Sequence, residues 1–327
     1  MRNFLKRIPI KMINKYKNNA NQQGSQPIRV NYEALEHFEK SEDVKSLNKT
    51  LNSNISIQFR NEKLPLNYKD TNGKYLMMPY VIKSGAIFIR ETFLSFLWTM
   101  CYPCIVMTGE LYRHVLDNET VDMEKWKKSI DVAQYGKSLI TQFSECNTNL
   151  PNPESYSPSD EKYINITNIS YFWALHFILF HEVAHVEKGH FDLPHDINHE
   201  YEADEYSFDK LLSIMGKLPS EGQKQTLVQG IISAFFSLLI LSPFNEIYKE
   251  ESHPFTFNRL SRFMHKLELN LKMTEDDDYW SFALIALELT NSTSNNVIKW
   301  EQFNIESISK KEQFNKAVEF LKNQRAQ

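Results

Sequence analysis

The densest chemistry in this sequence lies in His181-Glu182-Val183-Ala184-His185. On an α-helix, residues four apart share a face one turn apart, so the rings of His181 and His185 can grip a single tetrahedral ion. Glu182 stands beside them. From there a carboxylate can reach a water held by that ion without ligating it, accept its proton and later pass that proton to a leaving amine. The preceding residues 172–180 are apolar nearly all round, which predicts a buried helix. Two imidazoles and a carboxylate on such a helix are costly unless something pairs with them. The donor set predicts Zn2+, one per chain, and the chemistry is hydrolysis of a peptide bond by metal-activated water.

An H-E-x-x-H match is only moderately specific, and two histidines leave a catalytic ion too exposed, so a third ligand must come from elsewhere. His190, His195, His199, Glu200, Glu202 and Asp204 all follow closely. The metzincin spacing requires Gly and His where this chain has Lys188 and Phe191, which excludes that class. The segment His199-Glu200-Tyr201-Glu202-Ala203-Asp204 opens a second predicted helix after the breaks at Gly189 and Pro194. Glu200 and Asp204 share a face there, and the small Ala203 lets the two helices approach closely. Glu200 is therefore the stronger candidate for the third ligand, and Asp204 can orient a neighbouring histidine or arginine. Glu202 is expected to point into solvent. His190, His195 and His199 fall in the turn beside the site, open to substrate or to solvent. His176, off the ligand face, reads as a hydrogen-bonded core residue.

These residues carry a family resemblance. H-E-x-x-H followed by E-x-x-A-D resembles the gluzincin signature of the HtpX-like and CAAX prenyl protease metallopeptidases. Downstream, Ser252-His253-Pro254-Phe255-Thr256-Phe257-Asn258-Arg259-Leu260 is similar to their H-P-x-x-x-x-R-L element. The resemblance implies a zincin-like fold, Glu200 as third ligand, His253 as a group stabilising the oxyanion and Arg259 as the partner of Asp204. From the residues alone, His253 before a proline reads equally as a loop histidine with no role. Unlike in those membrane enzymes, no convincing spanning helices are expected to flank the site. In length and expected compartment the chain is closer to phage-exclusion peptidases of the Lit type, which implies phage defence by cleavage of elongation factor Tu, with an activating peptide as a further partner. The resemblance is specific from about Ser170 to Arg262 and absent from the first seventy or so residues.

Two other classes share parts of the pattern. Regulatory metallopeptidases of the ImmA/IrrE type have the same first motif, but normally carry Asn where Asp204 stands, and no helix-turn-helix signal accompanies it here. A catalytically idle, zinc-stabilised binding protein would have no use for an intact Glu182.

The rest of the chain must position this site. Its 327 residues are 42% hydrophobic, enough for a sizeable core. A net charge of -4 gives no electrostatic reason to expect a nucleic-acid partner, so the expected partner is a protein substrate. Three cysteines, with Cys101 and Cys104 in an apolar stretch, fit buried thiols in a reducing compartment, and a cytoplasmic location is expected. Residues 92–107 and 230–244 are apolar but short for a membrane span. Pro103 or Pro243 should interrupt or end them, so they read as core helices and no membrane contact is expected.

The expected fold is mainly α with a small β-sheet, an α+β arrangement. Residues 1–30 form a basic and polar extension; 31–160 hold the sheet and the first helices; 161–327 form the helical metallopeptidase core, in one unit with 75–160. Strands are predicted near Ile55–Phe59 and Tyr80–Ile89. Helices are predicted over 32–51, 91–116, 123–143, 170–188, 200–216, 223–241, 257–271, 279–289 and 310–325. In zincin folds an edge strand above the active helix pairs with the substrate, and Ala86, Ile87 and Phe88 could serve in that way or form an ordinary core strand. The acidic run Glu275-Asp276-Asp277-Asp278 reads as a helix N-terminal cluster.

Overall fold

The structure, a computed structural model, describes residues 31–51, 54–59, 78–140, 149–153, 155–194, 196–216, 219–241, 254–293 and 308–325. The basic extension 1–30 lies outside them. Helices α1 (Asn31–Glu39) and α2 (Glu42–Thr50) precede strands β1 (Ser56–Phe59), β2 (Tyr80–Val81) and β3 (Ala86–Ile89). Helices α3 (Glu91–Asp117), α4 (Met123–Ser138), α5 (Glu161–Glu187), α6 (Asn198–Met215), α7 (Glu221–Leu241), α8 (Thr256–Leu271), α9 (Asp278–Thr293) and α10 (Lys310–Arg325) follow. The described chain is thus mainly helical with one small sheet.

Helix α5 is the axis of the molecule. From Ser170 to Phe180 every residue except Phe172 is buried, and α3, α6 and α7 all pack on it. It begins at Glu161, nine residues before the sequence pattern predicts. Residues 161–169 mix Asn and Thr with β-branched Ile, poor helix formers, and tertiary burial of Tyr163, Ile164 and Thr167 overrides that propensity. The single helix predicted over 32–51 is broken instead. Ser41 caps α2 by accepting from the Val44 N–H at 3.2 Å.

Helix α7 crosses α5 at very short range because Gly230 has no side chain. A Cβ there would lie 2.4 Å from the Ser170 carbonyl oxygen and 2.7 Å from the Trp173 Cβ. Gly230→Ala gains about 1 kcal/mol of helix propensity, but it must push two backbones apart, at about 1–3 kcal/mol or more. A net loss is expected, read as a melting temperature lowered by several degrees. An unchanged melting temperature would mean that the two helices stand further apart than described.

Pro103 lies inside α3 without ending it, contrary to the expected interruption. Dense burial on both sides of the proline, from Phe93 to Met107, holds the helix through the missing hydrogen bond. The segments Thr92–His114 and Glu221–Leu241 are long and apolar enough to cross a membrane, yet 94% and 83% of their most apolar windows are buried within the fold. Cys101 and Cys104 are buried free thiols in α3, and burial pushes Cys101 up to about 12, far from reactive.

The sheet has the order β1-β3-β2. Strand β3 pairs in parallel with β1, Ser56 opposite Ala86, and antiparallel with β2, Tyr80 opposite Phe88 and Val81 opposite Ile87. The β2–β3 turn closes with the Gly85 N–H donating to the Ile82 carbonyl at 2.8 Å. Gly85 has φ 92 and sits where a Cβ would meet the Ile55 nitrogen at 3.0 Å, so only glycine fits without strain. Ala86, Ile87 and Phe88 therefore lie in the middle strand of the described sheet, which is the core-strand alternative of the two readings and not the edge strand. Both sides of β3 are already hydrogen-bonded, which leaves its main chain closed to a further strand.

Candidate active site

The last two turns of α5 carry His181, Glu182 and His185, and α6 lies alongside with Glu200, Ala203, Asp204, Ser207, Phe208 and Leu211 on its buried face. That spacing of three, four and seven is a single helical stripe, and the fully buried Ala203 allows close packing of the two helices. As a result His181, His185 and Glu200 converge, with one ligand-type atom from each lying within 4.8 Å of the others. His181 Nε2 is 3.2 Å from His185 Nε2 and 3.2 Å from Glu200 Oε2, and His185 Nε2 is 3.6 Å from Glu200 Oε1.

Helix α8 supplies the counter-charge. Arg259 is 9% exposed and grips Asp204 with two hydrogen bonds, Nε to Oδ2 at 2.8 Å and Nη2 to Oδ1 at 2.7 Å. Its Nη1 lies 3.5 Å from Glu200 Oε2. Asp204 Oδ1 in turn is 3.0 Å from His181 Nδ1. A carboxylate only accepts, so in the neutral ring that a metal requires Asp204 draws the proton of His181 to Nδ1 and leaves Nε2 bare towards Glu200 and His185.

From the sheet, the Val81 N–H donates to Glu182 Oε2 at 3.0 Å. Paired with β3 on one side, β2 is one of the two outer strands among the described residues, and this amide on it faces the site. Sequence reasoning missed the contact, for nothing in a two-residue strand marks which helix it will meet.

The electrostatics are those of a cluster short of positive charge. Burial disfavours a charged His181, but the hydrogen bonds to Asp204 and Glu200 outweigh it and raise its pKa to about 10. Burial and the charge on His181 pull His185 down to about 3. Burial pushes Glu182 up to about 7; His181 draws it back and Glu200 adds to the rise. Asp204 stays below its ordinary value, because the Arg259 guanidinium and His181 overcome its burial. A metal ligand must be a neutral imidazole, and in that state of both rings the three carboxylates Glu182, Glu200 and Asp204 face the single guanidinium of Arg259, a formal excess of two negative charges.

This set fits a divalent ion. Ligand atoms about 2.0–2.1 Å from a tetrahedral ion stand roughly 3.3 Å from one another, close to the spacing of the two imidazole nitrogens and the Glu200 carboxylate. The excess of negative charge is the amount one dication cancels.

Other residues singled out in the sequence fall around this cluster or away from it. His176 is buried in the core, its Nδ1 2.9 Å from the Phe172 carbonyl. His190 is buried beside His185, and its ring stacks on His199 with centroids 4.2 Å apart. Glu202 was expected to be merely solvated; its side chain is exposed, but Oε2 lies 3.2 Å from His190 Nε2. Gly189, at φ 68, causes this, since it turns the chain back after α5 and lays His190 against the helix end. Ala86, Ile87 and Phe88 contribute no free main chain. His253 and His195 lie outside the described residues. Glu275 to Asp277 form the turn before α9, which starts at Asp278, where Lys310 Nζ pairs with the carboxylate at 2.8 Å.

Neither a curated protein nor a solved structure matches this chain. A family model does. It covers residues 87–283, well over half the length, and runs from β3 into α9. His181, Glu182, His185, Glu200, Asp204 and Arg259 all fall within that span, and by this match the chain belongs to the Peptidase U49 family, a family of peptidases.

Proposed function

We propose that this peptidase is a zinc-dependent endopeptidase with a zincin-like, gluzincin-type site, in which His181, His185 and Glu200 hold one Zn2+ per chain. The observation that carries the reading is the mutual approach of His181 Nε2, His185 Nε2 and the Glu200 carboxylate beside an uncoordinated Glu182. Bound zinc would bring the pKa of a water towards neutrality and polarise the scissile carbonyl. The protein's own part follows from its contacts. The Val81 N–H fixes Glu182 Oε2, which leaves Oε1 to take a proton from the attacking water and to return it to the leaving amine. Asp204 and Arg259 hold His181 in the tautomer that turns Nε2 to the ion.

Since β3 is closed on both sides, an extended substrate would meet β2, the outer strand next to Glu182. The net charge of -4 supports a protein partner over nucleic acid, the buried free thiols Cys101 and Cys104 support a cytoplasmic site of action, and the burial of both long apolar helices supports a site away from the membrane. The resemblance to phage-exclusion peptidases of the Lit type supports elongation factor Tu as the substrate, an activating peptide as a further partner, and a role in phage defence.

The test is a comparison of protein N-termini by mass spectrometry after expressing the wild type and Glu182→Gln side by side in one host. New termini from a host protein are expected with the wild type alone. The same termini from both chains would remove Glu182 from the chemistry.

A further inference from the structure

Resting on the zinc reading above, we propose that His190 and Glu202 form a positioning relay that holds His185 in its ligating tautomer, a counterpart to the Asp204–Arg259 support of His181. His185 Nδ1 lies 2.9 Å from His190 Nδ1, and His190 Nε2 lies 3.2 Å from Glu202 Oε2. For neutral rings the proton assignment along this chain has one solution. The Glu202 carboxylate only accepts, so His190 carries its proton on Nε2 and donates it. His190 Nδ1 is then a lone pair and accepts from His185 Nδ1–H. That leaves His185 Nε2 bare, and Nε2 is the atom facing His181 Nε2 and Glu200.

Two features fix the relay in place. The left-handed turn at Gly189 returns the chain so that His190 is buried against the end of α5. His199, at the start of α6, stacks on the His190 ring at an interplanar angle of 9° and limits its rotation. Each of the two histidines that share the site is therefore oriented by a carboxylate of α6, Asp204 directly for His181 and Glu202 through His190 for His185. The sequence places Glu202 on the opposite side of its helix from Asp204, and an intervening imidazole bridges that gap.

Zinc affinity, measured by competition with a chromophoric chelator, separates positioning from mere packing. His190→Leu fills similar space without an acceptor, and its zinc affinity is expected to fall about 10–100-fold. His190→Asn places Oδ1 near the Nδ1 position, can accept from His185 Nδ1–H, and should bind within about threefold of the wild type. Glu202→Leu should weaken binding in the same direction by less, because water can replace an exposed carboxylate. The melting temperature of the zinc-free protein should be alike in all four chains.

Wild-type affinity in His190→Leu would overturn the relay while leaving the zinc site intact. So would a loss of affinity that His190→Asn fails to restore, or one that tracks a drop in zinc-free melting temperature. A wild-type chain that binds no zinc would overturn the relay together with the reading on which it rests.

Discussion

Replacing Glu182 by Gln is expected to lower the rate of substrate cleavage by at least about 10²–10⁴-fold, the usual contribution of a positioned general base, while bound zinc stays near one per chain. Glutamine has the shape of glutamate, and its amide oxygen can still accept from the Val81 N–H. It cannot take a proton from water. The fold should not suffer, because the substitution removes a buried carboxylate that already faces Glu200. Metal analysis and thermal melting of the purified variant, beside its cleavage rate, check all three expectations. If zinc is lost along with activity, Glu182 is holding the site together and is not the base.

Arg259→Met is expected to cost about 3–5 kcal/mol in the zinc-free protein, since it leaves the buried carboxylates of Asp204 and Glu200 to the His181 ring, without the guanidinium that pairs with both. In a chain of this size that is a fall of roughly 10 °C in melting temperature. Methionine follows much of the volume and packs on Phe235 as the guanidinium does, at 5.9 Å from the ring centroid, so the loss is mainly of charge. Saturating zinc should then restore a large part of the stability. The ion brings positive charge to the same carboxylates, and it binds the folded chain alone. A variant that melts with the wild type, or one that zinc does not rescue, would show that Asp204 and Glu200 are compensated from elsewhere.

Arg259 and His190 also show where sequence reasoning gained purchase and where it stopped. The four-residue step from His181 to His185 places both rings on one face of any helix that forms there, and the step from Glu200 to Asp204 does the same on the next. A helix repeats every 3.6 residues, so these relations are local and readable without a fold. The mainly helical character with a small sheet was legible for the same reason: apolar periodicity over 223–241 or 257–271 reports the element directly.

What joined these elements was decided by the tertiary structure. The start of α5 at Glu161 is set by burial of Tyr163 and Thr167 against other helices, which outweighs a few tenths of a kcal/mol per residue of propensity. Strand order is a matter of pairing between distant segments, and so the middle position of Ala86–Ile89 and the outer position of Tyr80–Val81 could not be read from alternation alone. The contact of the Val81 N–H with Glu182, 101 residues away, arises only once that order is set. The relay from Glu202 to His185 needs the left-handed turn at Gly189, whose direction in space depends on how α5 and α6 pack. The sequence by itself therefore determined which side chains could share a helix face. The fold alone determined which backbone amide and which third imidazole orient them, because hydrogen bonds of about 3 Å between remote segments exist only after packing has brought those segments together.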